Sequence, residues 1–197
     1  MFRLLPQEIL HTPRLTLRPF RMEDAEANFR NWDSNPKVAE FMLWDPSKTV
    51  ADSRERIEEF LRDYTPEKGF YVYAITQTGS DEPIGCVMLG WIDSDHHSGE
   101  LVYMLSPAAQ GKGYMTEAVS ALLDFAFGKL ELNRIQADCF LRNPASARVM
   151  QKCGLLYEGI MRGLYLGKEG YEDLFVYAIL RSDWEFKKER ESKHVRN

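Results

Sequence analysis

Leu105-Ser106-Pro107-Ala108-Ala109-Gln110-Gly111-Lys112-Gly113-Tyr114-Met115-Thr116-Glu117-Ala118 is the stretch on which the reading of this chain turns. It begins at the end of Gly99 to Leu105 (GELVYML), a run rich in apolar and aromatic residues that reads as a strand. It ends in a run that places Met115, Ala118, Val119, Leu122, Leu123, Phe125 and Ala126 largely on one helical stripe, with Gly128 near the stop. The loop between them is a natural anion site, because its N–H groups and the helix dipole point the same way. Gly111 and Gly113 carry no Cβ to hold a phosphate off, and Lys112 adds a cation. Spelling excludes two other phosphate loops. A P-loop needs G-x-x-x-x-G-K-[ST], and the dinucleotide-binding loop needs a glycine where Thr116 stands.

Working outward, Arg14 to Phe20 alternates as a first strand, and helices are expected over about 23–32 and 50–64, with a short element from Pro36. Phe70–Gln77, Pro83–Ile92 and Gly99–Leu105 form three strands joined by short turns, which implies antiparallel pairing. After the long helix come a strand over Arg134–Phe140, a helix over Ala145–Lys152 and two strands near Leu155–Leu166 and Tyr171–Leu180. The expected fold is one α/β (α+β) domain spanning residues 1–197: a mixed, mostly antiparallel sheet of about seven strands flanked by helices. A charged tail from about residue 185 is expected to dock at most one helical turn through Trp184 and Phe186.

With 197 residues, 44% of them hydrophobic and 28% charged, the chain has the composition of an ordinary globular domain. No apolar run nears the ~20 residues of a bilayer span, and Arg3, Pro6, Gln7 and Glu8 interrupt any apolar leader, so a cytoplasmic location is expected. A net charge of −5 argues against nucleic acid as a partner. Cys86, Cys139 and Cys153 have no metal-site spacing and read as buried free thiols; no metal is expected.

Gln110-Gly111-Lys112-Gly113-Tyr114-Met115 resembles the Q/R-x-x-G-x-G/A acetyl-CoA pyrophosphate loop of the GNAT N-acetyltransferases, with Met115 where a small residue is usual. The order of elements matches that family from Arg14 through Leu180. Asn143-Pro144-Ala145-Ser146, followed by Lys152, Gly154 and Leu155, is similar to its N-x-x-S…K-x-G-F stretch. The opening HTPRLTLRPF, the loop and NPASARVM together resemble the branch that acetylates ribosomal proteins at N-terminal alanine or serine.

The resemblance implies an N-acetyltransferase that uses acetyl-CoA, with Gln110 through Thr116 and Asn143 on the cosubstrate and backbone N–H groups near Met104 and Leu105 on the thioester oxygen. Asn143 is also placed to cap the helix that follows it. Acyl transfer needs a neutral amine, and a carboxylate acting directly or through water can take its proton. Glu100, matching the glutamate of the branch's A-E-I-G-Y-like strand, is the candidate base; Val102 stands where that strand commonly has glycine. Ser146 is the candidate partner of the departing thiolate, with Tyr157 and Tyr165 as spares. The acceptor is expected to be a protein N-terminal amine, with a small amine (antibiotic, polyamine or amino acid) or a non-catalytic acyl-CoA-binding role as alternatives. Trp32, Trp44 and Tyr64 could line the acceptor cleft or fill core, and Glu158, Tyr171 and Asp173 could shape its far side. His96 and His97 read as exposed turn residues, and the oligomeric state, a homodimer included, stays open.

Overall fold

The computed structural model of the protein describes residues 4–167 and 170–194. Arg3 therefore lies outside the described residues, as do the two ends of the expected domain. The elements run β1 (Leu10–His11), β2 (Leu15–Pro19), α1 (Ala25–Asn28), α2 (Pro36–Ala39), α3 (Val50–Asp63), β3 (Tyr71–Gln77), β4 (Pro83–Asp93) and β5 (Ser98–Leu105). They continue with α4 (Tyr114–Gly128), β6 (Arg134–Phe140), α5 (Pro144–Cys153), β7 (Leu156–Gly167), β8 (Gly170–Leu180) and α6 (Arg181–His194). The helical stretch expected over 23–32 is a 3-10 turn, α1 and a π turn (Phe29–Asp33) in succession.

One sheet of eight strands, in the order β1-β2-β3-β4-β5-β6-β8-β7, carries the fold. All neighbours are antiparallel except β5 and β6, which α4 connects as a crossover. The eighth strand is the two-residue β1, too short to show alternation in sequence. The alternation of the central strands sorts their side chains between two cores. Leu15, Leu17, Tyr73, Val87, Leu89 and Leu101 pack under α4 and α5, whose Val119, Leu122, Ala126 and Met150 are fully buried. Val72, Ala74, Cys86 and Met88 face the other way, against Ala25, Trp32, Val38 and Ile57 of the α1–α3 region.

Local chemistry sets the helix starts that matter for the site. Thr49 and Asp52 form a reciprocal capping box at α3, and the Asn143 side chain accepts the Ser146 N–H at 3.2 Å to start α5. The tail is more than one turn. α6 is a full helix, with the Trp184 indole donating to Asp124 at 2.7 Å and stacking 5.7 Å from Phe127, while Phe186 stays exposed.

Candidate active site

The parallel neighbours β5 and β6 pair over three positions, from Ser98↔Arg134 to Glu100↔Gln136, and then part. β5 stays paired with β4 as far as Leu105, and β6 with β8 as far as Phe140. A gap therefore opens in mid-sheet. Antiparallel strands bond on alternate residues, and the Ser106 N–H donates to the Ile84 carbonyl at 2.8 Å. By that phase, Met104, opposite Cys86, directs its N–H to β4. Beyond the last β5–β6 pair, the N–H groups aimed at the gap are those of Tyr103 and Leu105. Of the two amides expected to serve the thioester, Leu105 thus faces the gap and Met104 does not.

The loop after β5 begins with a 3-10 turn over Pro107–Ala109, and the Gln110 side chain donates back to the Leu105 carbonyl at 3.1 Å. Gly111 and Gly113 have φ of 75° and 80°, a left-handed region in which side chains are strained. Gly113 stands directly before α4, so the first N–H groups of a 15-residue helix open onto the loop. A Cβ on Gly111 would meet nothing within 4 Å, which leaves the loop surface clear for a phosphate. Lys112 turns its ammonium back to the Ala108 carbonyl at 2.9 Å. Two residues missed in the sequence fasten the loop: Arg14 donates to the Lys112 carbonyl at 3.0 Å and pairs with Glu117 at 2.6 Å. Glu117 also accepts from Thr12 at 2.6 Å, tying α4 to the turn before β2.

A cleft of about 1110 Å³ runs from this loop past the gap to the α2–α3 wall. Its lining includes Leu105, Gln110, Gly111, Gly113, Tyr114, Met115, Thr116 and Asn143 among the sequence candidates, and also Glu100, Met104 and Ser146. Glu100 is half-buried at the last β5–β6 pair. Burial raises its carboxyl above the ordinary value, opposed by a long contact from the Gln136 amide at 3.5 Å. Asp138, two residues along β6, lines the same cleft and has no hydrogen bond or ion pair among the described residues. Burial first, and then the Glu100 charge, push its carboxyl up to about 6. In the sequence Asp138 looked like one polar residue of an alternating strand; only the gap exposes it to the site.

The Tyr103 hydroxyl lies 2.9 Å from the Ser146 hydroxyl and also donates to the Ser146 carbonyl at 3.0 Å. Burial raises the phenol further above its ordinary value. Tyr103 was not foreseen as a site residue. Of the spare tyrosines, Tyr165 lines the cleft, whereas Tyr157 packs outside it against Phe175 and Tyr177.

The far wall is held by a buried acid. Asp33, with no exposed surface, accepts from the Ser47 and Ser53 hydroxyls at 2.7 and 2.5 Å. Its other oxygen faces Arg56 Nε at 2.9 Å, an ion pair off the hydrogen-bond direction. The Arg56 guanidinium lies 4.3 Å over the Trp44 ring. Trp44 and Tyr64 line the cleft, while Trp32 is core. Glu158 pairs with Arg134 on the surface, Tyr171 is exposed and Asp173 accepts from the Gly163 N–H, so none of the three lines the cleft. His96 bonds Asp93 in its turn, and all three cysteines are free and buried.

Residues 14–156, which contain the strand gap, the glycine loop and the helix N-terminus, match the acetyltransferase (GNAT) domain. The chain belongs to the GNAT family. It is accordingly an N-acetyltransferase with acetyl-CoA as cosubstrate, and the unpaired amides, open loop and helix N-terminus fit that cosubstrate. YdaF of Bacillus subtilis (strain 168), provisionally named a ribosomal N-acetyltransferase, is 34% identical over 88% of this chain and 95% of its own. The spermidine N(1)-acetyltransferase of Vibrio cholerae is 25% identical over 87% and 95%. Among solved structures, a GNAT-family acetyltransferase from Bacillus anthracis superposes with a TM-score of 0.79 at 25% identity, covering 89% of this chain and 99% of that one. Among the described residues of this GNAT domain, no helix is long and apolar enough to cross a membrane, and no group of three or more His, Cys, Asp or Glu could hold a metal.

Proposed function

We propose that this enzyme acetylates the N-terminal amine of a protein chain, with Glu100 as proton acceptor and Ser146 beside the departing sulfur. The observation that carries this reading is the cleft, which continues from the cosubstrate loop past the gap to a separate α2–α3 wall. That gives room for an extended acceptor beside a pantetheine arm. The similarity to YdaF supports the same acceptor class.

In this mechanism Gly111, Gly113, Tyr114, Met115 and Thr116 hold the pyrophosphate through backbone N–H groups at the start of α4, with Gln110 closing the loop behind them. Asn143 contacts the pantetheine while it caps α5. The Leu105 N–H meets the thioester carbonyl oxygen and stabilises the negative charge that develops there. Glu100 takes the amine proton, directly or through one water. Its raised pKa brings a carboxylate nearer the working pH, where a general base is most effective. Asp138 shares that proton load, because two close carboxylates in one dry cleft resist carrying two negative charges together. Ser146 donates its hydroxyl hydrogen to the thiolate as it leaves, while the Tyr103 hydroxyl, bonded to the Ser146 carbonyl, holds that residue in place.

The competing acceptor is a polyamine, favoured by two carboxylates without a cationic partner and by the spermidine-acetylating relative. Thiol release from acetyl-CoA, measured against peptides beginning with Ala or Ser, polyamines, aminoglycosides and free amino acids, separates the two. Release selective for the peptides, with an acetyl mass gain at their N-terminus, is expected; release with polyamines alone would sink the N-terminal reading.

A further inference from the structure

Arg56 is a cation on the acceptor wall whose five N–H donors make no hydrogen bond among the described residues. Nε faces the buried Asp33, the guanidinium plane rests on Trp44, and neither Nη group meets a partner among the described residues. The side chain lines the cleft and is about one-fifth exposed (21%). Ser47 and Ser53 hold Asp33, whose other oxygen attracts Nε as an ion pair, and the indole supports the guanidinium plane, an arrangement that leaves the two Nη groups for the cleft. Glu59, one turn along α3, also lines the cleft and is approached by the Tyr64 hydroxyl at 3.5 Å.

Glu100 and Asp138 line the cleft beside the gap, while the α2–α3 wall carries Lys37 and Arg56 interleaved with Glu40 and Glu59. The wall therefore has no net charge of either sign, and what Arg56 adds is a pair of outward donors. A peptide carries a basic amine at one end and carbonyl oxygens behind it, which suits the carboxylates and those donors in turn. A polyamine has no oxygen to accept from them. We propose that Arg56 reads the acceptor by donating from its Nη groups to a carbonyl or carboxylate oxygen behind the amine, and so selects amino-acid-like chains over polyamines. This deepens the N-terminal-amine reading and rests on it for the choice of a peptide over a free amino acid.

The test is steady-state kinetics of the wild type, Arg56→Gln and Arg56→Lys with three acceptors: the peptide amide Ser-Ala-Ala-Ala-NH2, free serine and spermidine. Loss of a charged donor pair to a neutral oxygen should raise the peptide KM about 10- to 100-fold in Arg56→Gln. The KM for acetyl-CoA and kcat/KM for spermidine should stay within about twofold, a split that damage to the fold would not give. Arg56→Lys keeps a cation for Asp33, which protects folding, but lacks the planar fork and should still raise the peptide KM several-fold. An unchanged peptide KM in both variants, beside a wild type that acetylates the peptide, overturns the role of Arg56 and leaves the N-terminal reading standing. Wild-type turnover of free serine but not of the peptide, with serine KM raised in Arg56→Gln, defeats the N-terminal reading and supports Arg56. Turnover of spermidine alone, or an equal loss for spermidine and peptide, overturns the proposal.

Discussion

Along the cosubstrate side of the cleft, residues 99–118 run without interruption as strand, loop and helix, and the amides proposed to hold the pyrophosphate of acetyl-CoA are neighbours in sequence. Along the proposed acceptor side, the wall is assembled from Asp33, Trp44, Ser47, Ser53 and Arg56, spread over the π turn, the loop before α3 and α3 itself. The first side depends on backbone: glycine conformation, a helix terminus and unpaired strand amides. The second depends on side chains held by one buried carboxylate. Backbone features of this kind bind the same phosphates whatever the acceptor, while the side-chain wall is free to vary. Substitutions on one side should therefore change the handling of acetyl-CoA and those on the other the handling of the acceptor, and only residues at the gap should affect the chemical step.

Glu100→Gln is the severest trial of that division. Removing a general base lowers turnover by about 10²- to 10⁴-fold, and acetyl-CoA affinity should change by less than about twofold, because the side chain sits at the gap and not on the loop. Rapid-quench or thiol-release kinetics with a calorimetric acetyl-CoA titration measure both. Near-normal turnover would remove Glu100 from the mechanism and move the base to Asp138.

The uneven legibility of the sequence has the same origin. Gln110 through Thr116 could be read because a glycine loop between a strand and an amphipathic helix is a local pattern. Asp138 could not, because R-I-Q-A-D-C-F reads as a half-buried strand in which every second polar residue is expected to face water. Its exposure to the cleft depends on where β5 leaves β6, a tertiary fact. Asp33 was equally silent, since its partners lie 14, 20 and 23 positions further on, at Ser47, Ser53 and Arg56. The sequence of α6 suggests only one docked turn because it has no apolar stripe; single contacts from Trp184, Lys188 and Lys187 dock it.

Gly113→Ala tests the cosubstrate side. An alanine at φ 80° carries a left-handed backbone penalty of about 1–2 kcal/mol, and its Cβ would lie 3.4 Å from Arg14 Nη2. If the loop relaxes to avoid that strain, acetyl-CoA binding should weaken by roughly tenfold while acceptor KM at saturating acetyl-CoA stays put. A change confined to acceptor KM would break the comparison between the two sides.

Asp138→Asn should affect pH behaviour more than rate. The carboxyl is raised from an ordinary 3.8 to about 6, so the folded protein favours its protonated form. Its contribution is fully present below about pH 4 and is lost as pH rises to about 6, which makes the ionised group a cost to stability at neutral pH. The asparagine variant should thus melt above the wild type near pH 7.5, and the difference should vanish toward pH 4. Glu100, whose carboxyl is raised by burial and not by Asp138, should keep the acid limb of kcat/KM where it is. A melting difference that is the same at pH 4 and pH 7.5 would remove the raised carboxyl, and an acid limb that moves in the variant would assign it to Asp138.

Ser146→Ala should have the smallest effect. The Tyr103 hydroxyl loses its contact with the Ser146 side chain but keeps the Ser146 backbone carbonyl at 3.0 Å, so a hydroxyl stays in the cleft and is free to turn to the thiolate. A fall of roughly two- to fivefold in kcat is expected, about the value of one neutral hydrogen bond. Tyr103→Phe alone should do similar damage, since the serine hydroxyl would stay. If the two hydroxyls back each other, the double variant should lose more than the product of the single losses, which a double-mutant cycle on kcat measures directly. A product equal to the two single effects would mean that the hydroxyls act separately. No effect from either change would leave the thiolate to be protonated from solvent.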